Sequence, residues 1–148
     1  MKGRDGRLNT RIVLPIYVFL DLLCVAVGMG VPFFCILLGF PVGWYLARRI
    51  ASTVEGAREV LARIMAYAVL TAGVTFVVMC AVWGPTIGML FDPAADLGRF
   101  GIPMILYQPR ASFIAWLALM ILASPFLQLL TTVFASHLTL LECLKNEG

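Results

Sequence analysis

IVLPIYVFLDLLCVAVGMGVPFFCILLGFPVGWYLA, residues Ile12–Ala47, contains one acidic side chain, Asp21, and no basic one. Drawn as a single helix it would run about 54 Å at 1.5 Å per residue. A bilayer core is only about 30 Å thick, so one crossing would need an extreme tilt. Two shorter spans fit, Ile12–Met29 and Pro32–Ala47, about 27 and 24 Å long. Gly28, Gly30 and Pro32 supply the break, because glycine tolerates turn conformations and proline lacks a backbone donor and restrains Val31 before it.

The flanks agree. Lys2, Arg4, Arg7 and Arg11 precede the stretch, and Arg48, Arg49, Arg58 and Arg63 follow it. Basic residues near span ends stay cytoplasmic, and two basic flanks in one compartment require an even number of crossings. The stretch therefore reads as a hairpin.

Composition excludes most alternatives. The 148 residues are 61% hydrophobic and 13% charged, with net charge +3 and mean hydropathy +0.97. A soluble domain averages about 25% charged residues, and this chain lacks the polar surface to cover a water-facing fold. The charge is too small and dispersed for a nucleic-acid surface. The fold class expected is all-α: a polytopic membrane protein with four transmembrane helices and both termini cytoplasmic.

The remaining spans are Ile64–Leu90 and Ser112–Leu141. A cytoplasmic helical loop, residues 48–63, joins the hairpin to the third span. Ser52 and Glu55 have capping-box spacing, which predicts a helix from about Thr53, and Glu59 and Arg63 sit four apart on one face. Gly84-Pro85 is expected to kink or end that helix, and Pro125 to kink the fourth span. Residues 91–111 form a charge-balanced outer loop, in which Asp92-Pro93 opens a short helix, Gly98 ends it, and Ile102–Tyr107 lies along the interface. Residues 1–11 are a basic N-terminus and 142–148 a cytoplasmic tail. No small-residue cleavage site follows the basic N-terminal region, so no cleaved leader is expected. Leu22-Leu23-Cys24 resembles a lipoprotein site, but Leu23 is too bulky for one.

Asp21 is the most informative residue. An acid at mid-span costs about 2.5–3.5 kcal/mol on insertion scales, and no lysine or arginine lies at its depth. A helical projection puts Leu14, Tyr17, Cys24, Val25 and Gly28 on its side and Ile16, Phe19 and Leu23 opposite. Asp21 is therefore expected to face the bundle in neutral form. It serves either as a proton or cation relay or as a carboxyl that fixes packing.

In the fourth span Ser124, Gln128, Thr131, Thr132, Ala135, Ser136, Thr139 and Glu142 share one arc, whereas Phe113, Ile114, Leu117 and Ile121 occupy it before the proline. Small and polar stripes pack helices in lipid. The competing use is a hydrated path with Asp21 facing Gln128 or Thr132, assisted by Tyr17. Gly39, Gly43 and Ala47 form a small-residue row suited to close backbone approach, within the hairpin or between copies. The packing residues expected are thus Gly39, Gly43, Ala47, Ser124, Thr131 and Ser136. The intramembrane polar set is Asp21, Tyr17, Gln128 and Thr132.

His137 lies on the far side of the fourth span, where it reads as an interfacial side chain. Cys24, Cys35, Cys80 and Cys143 lack metal-ligand spacing, and Asp92 with Asp96 are too few for a calcium site. Neither a metal nor a cofactor is expected, and no catalytic motif occurs. The expected partners are the lipid bilayer and either a second copy or another membrane protein, not nucleic acid. The expected location is the cell membrane, inner or plasma. Two roles follow: a helix-packing subunit or scaffold of a homo- or hetero-oligomeric complex, or a small oligomeric permease or proton/cation conductor in which Asp21 titrates. A lipid-modifying enzyme using Asp92, Asp96 and Arg99 is a weaker third.

Overall fold

A computed structural model describes residues 10–28, 32–54, 56–92 and 110–147. Among these residues the structure is helical, without strands. Helix α1 spans Thr10–Gly28, α2 Phe33–Ala51, α3 Ala57–Gly88, and α4 Arg110–Ala118; a π-helical turn, Leu119–Ala123, leads from α4 into α5, Ser124–Glu147. Three helical stretches are long and apolar enough to cross a membrane: Phe33–Ala51, Ala57–Gly88 and Arg110–Cys143. The apolar run in α1, Ile12–Val27, is shorter.

The break between α1 and α2 falls at the Gly28–Pro32 punctuation. The tight turn that follows α2 differs from the expected capping box. The hydroxyls of Ser52 and Thr53 both donate back to the Arg49 carbonyl, at 3.0 and 3.1 Å. They therefore cap the end of α2, which runs through Arg48 and Arg49, and do not open the next helix. Gly56, at φ 110°, makes the turn, a backbone region that favours glycine, and α3 starts one residue later. Glu55 lies outside the described residues, as do the outer-loop helix and interfacial run expected over 93–109. Glu59 and Arg63 pair at 2.6 Å on the exposed face of α3.

Pro85 does not end α3, which continues for most of a turn to Gly88. Thr86 supports this last turn by donating to the Trp83 carbonyl at 2.6 Å. At Pro125 the irregularity takes a definite form. Proline removes the donor that the Ile121 carbonyl would use, and the chain widens into a π turn just before it, where the Ser124 amide reaches back to the Leu119 carbonyl. Helices bend at such widened turns.

The closest helix pair is α2 with α5. Gly39 and Gly43 lie directly against α5: a β-carbon at Gly39 would meet the Gln128 carbonyl at 2.7 Å, and one at Gly43 would meet the Ala135 β-carbon at 2.9 Å and the Ser136 amide at 3.0 Å. The small-residue row thus packs onto the polar stripe of α5 within one chain. Across this seam Thr131 donates to the Ile36 carbonyl at 2.8 Å and Ser136 to the Gly43 carbonyl at 3.0 Å.

Two apolar clusters seal the bundle. One, beside α4 and the π turn, gathers Cys35, Met79, Phe113, Trp116, Leu117 and Met120. Its rings interlock, with Trp83 edge-on to Trp116 at 4.8 Å and Phe113 stacked on Trp116 at 5.8 Å. The other, beside the α2–α3 turn, gathers Leu46, Ala47, Ile50, Val60 and Ile64. Between them lies a polar layer.

Candidate intramembrane polar site

The layer is built by three helices, each for a sequence reason. On α1, Tyr17 and Asp21 are four residues apart and so share a face; Asp21 is 0% exposed and Tyr17 5%. The opposite face, with Ile16, Phe19 and Leu23, is exposed. On α3, Ile64, Ala68, Thr71, Thr75 and Met79 are buried at three- and four-residue spacing. This places two threonines opposite the α1 pair. On α5, Ser124, Gln128, Thr132, Ser136 and Thr139 line the buried face.

The hydrogen bonds form a chain. Thr75 donates to Asp21 Oδ1 at 3.0 Å. The Tyr17 hydroxyl lies 2.7 Å from Thr75 Oγ1 and 3.1 Å from the Thr71 carbonyl. Gln128 Nε2 donates to the Tyr17 oxygen. Gln128 therefore reaches Asp21 through two intervening hydroxyls, not directly. Thr132, the other residue that sequence placed opposite the acid, turns back along its own helix and donates to the Gln128 carbonyl at 2.8 Å.

Three oxygens in or beside this layer have no hydrogen-bond partner: Asp21 Oδ2, Gln128 Oε1 and Ser124 Oγ. A buried polar atom left unmatched costs about 1–3 kcal/mol. No arginine or lysine among the described residues pairs with Asp21. No group of histidines, cysteines and carboxylates among the described residues is arranged to hold a metal.

The other candidates lie apart from the layer. Ala47 is fully buried in the apolar cluster beside the α2–α3 turn. His137 is exposed on the far face of α5. Cys35 lies in the apolar cluster beside α4 and Cys24 packs against it, both as free thiols. Thr71 and Thr75 join the layer without having been expected from the sequence. Their signal was available: two hydroxyls four apart on the face of α3 that also carries Ala68 and Met79. No protein-family model, curated protein or solved structure matches this chain.

Proposed function

We propose that this chain is a multi-pass cell-membrane protein, with four spans and both ends cytoplasmic, that binds and releases a proton at Asp21 as a small proton conductor or proton-coupled permease. The observation that carries this reading is the hydroxyl chain on Asp21. It can be satisfied in either protonation state of the acid. With Asp21 ionised, Gln128 donates to Tyr17, Tyr17 to Thr75, and Thr75 to Oδ1. With the proton on Oδ1, every hydroxyl reverses: Asp21 donates to Thr75, Thr75 to Tyr17, and Tyr17 to the Thr71 carbonyl. No side chain needs to move, and Gln128 keeps its bond to Tyr17 in both states. A carboxyl serving only to pack helices has no need of a reversible chain or of a free Oδ2.

Apolar clusters close both ends of the layer, which favours alternating exposure over an open pore. The cluster holding Phe113 and Trp116 draws mainly on α4 and the π turn, whereas the polar stripe belongs to α5. The π turn and Pro125 lie between the two, and helices kink at prolines and π-bulges, the latter frequent at functional sites. Bending there would lift Phe113, Trp116 and Met120 away without disturbing the α2–α5 seam. The glycine row, which the sequence leaves open between the hairpin and a second copy, and the polar stripe meet each other inside one chain. They therefore give the scaffold reading no support.

The test is proton flux into liposomes reconstituted with the purified protein, driven by a potassium diffusion potential and read by a trapped pH dye. The wild type is expected to carry protons, and Asp21→Asn, which keeps the shape of the side chain, is expected to lose the flux. Equal flux from a folded Asp21→Asn protein would end the proposal.

A further inference from the structure

A cavity of about 370 Å³ opens between α1, α2 and α3, lined by side chains that include Leu14, Leu20, Leu38, Val42, Tyr45 and Tyr67. It is separate from the α2–α5 seam and meets the polar layer only at Tyr17 and Thr71. Along α2 its lining extends from Leu38 to Leu46, about 12 Å of helix. One leaflet of the hydrocarbon core is about 15 Å deep, so the cavity has the depth of a single leaflet. Its lining is almost wholly apolar, and in a bilayer such a slot takes a hydrocarbon chain.

The cytoplasmic mouth supplies the second observation. Arg49 follows Tyr45 by four residues and Leu46 by three, so it stands on the lining ridge of α2, one turn beyond the cavity. It is half-buried, and its Nε is buried without a hydrogen-bond partner. Two nearby basic groups are engaged elsewhere: the Arg48 guanidinium sits 4.7 Å over the Trp44 ring, and Arg63 is paired with Glu59. A guanidinium at that height meets the phosphate level of the leaflet, and its planar fork suits phosphate oxygens. Tyr45 and Tyr67 belong to the same boundary, where tyrosine rings concentrate.

We infer that this cavity is a binding site for one anionic phospholipid of the cytoplasmic leaflet, with its phosphate on Arg49 and an acyl chain between α1, α2 and α3. The site holds apart the cytoplasmic halves of the helices that carry Tyr17 and Thr71, so an occupying chain would brace the polar layer from one side.

The probe is an equimolar mixture of phosphatidylglycerol and phosphatidylcholine in detergent micelles, with bound lipid read by native mass spectrometry of the intact chain. The wild type should retain one lipid and favour phosphatidylglycerol about fivefold, which corresponds to the ~1 kcal/mol that a basic residue contributes at an anionic headgroup. Arg49→Gln should bring that preference to near unity while a lipid is still retained. Arg48→Gln should leave it unchanged. Leu20→Trp, at a position 40% exposed and therefore tolerant of bulk, should fill the slot and remove retained lipid of both classes. A chain-labelled phosphatidylglycerol in wild-type liposomes should show an immobilised fraction by spin resonance, a reading that needs no variant. No headgroup preference in the wild type, or a preference untouched by Arg49→Gln, would overturn the assignment.

Discussion

Gly43→Ala is the most informative structural perturbation. The added β-carbon would collide with the Thr132 carbonyl and stand 2.9 Å from the Ala135 β-carbon and 3.0 Å from the Ser136 amide. Two of these three atoms are backbone and cannot rotate away, so α2 and α5 must separate. Overpacking of this kind costs about 1–3 kcal/mol. Separation also stretches the Ser136–Gly43 and Thr131–Ile36 bonds. Each donor keeps a second partner on its own helix, Thr132 at 2.8 Å and Gln128 at 2.9 Å. Each lost bond therefore contributes only the ~0.6 kcal/mol typical of interhelical bonds in membranes. The total expected is about 2–4 kcal/mol. Reversible unfolding in mixed micelles, titrated with a denaturing detergent, measures it. Gly73→Ala is the matched control, since nothing lies within 4 Å of its added carbon. It should be neutral or slightly stabilising, because alanine favours helix over glycine by up to ~1 kcal/mol. If the two variants unfolded alike, the α2–α5 seam described here would be wrong.

Other outcomes follow from the same geometry. In a double-mutant cycle, Tyr17→Phe and Gln128→Leu should couple by about 0.6–1.7 kcal/mol, because Tyr17→Phe strands the Gln128 amide, whereas Gln128→Leu leaves Tyr17 its bonds to Thr71 and Thr75; additive effects would break the hydroxyl chain at that link. Glu59→Gln should cost at most about 1 kcal/mol, less at high salt, since its pair with Arg63 is exposed and its remaining contribution is to the first turn of α3. Labelling from either side of the membrane should find reporters at Asp5 and Gly56 in one compartment and at Asp92 in the other; opposite sides for the first two would remove the hairpin.

Much of the architecture was readable from residue spacing because lipid imposes simple demands. The Gly28–Pro32 break, the buried face of α1 and the polar arc of α5 all follow from periodicity and from the cost of polar groups in hydrocarbon. Partner choice was not readable in the same way. Nothing in Gly39 and Gly43 says which helix approaches them, and the answer, α5, lies about ninety residues away in the chain. Likewise, Asp21 needed a donor, but whether Gln128 or Thr75 would reach it depended on how deeply α3 inserts. Ser52 shows a local ambiguity, because its hydroxyl suits either the start of one helix or the end of another. The helical phase of α2, which carries on through Arg48 and Arg49, settled it. The π turn was invisible to periodicity, since Pro125 announces an irregularity without specifying its form.

Asp21, on the proposed reading, carries an exchangeable proton inside the bundle. Infrared difference spectroscopy of the reconstituted protein, with aspartate labelled by carbon isotope, measures this directly. A protonated-carboxyl carbonyl band is expected that moves with the label, vanishes in Asp21→Asn, and shifts in Tyr17→Phe as the hydroxyl chain is cut. The same band should diminish when the bulk pH is raised. A spectrum in which Asp21→Asn removes no such band, or in which the band ignores pH altogether, would contradict that reading.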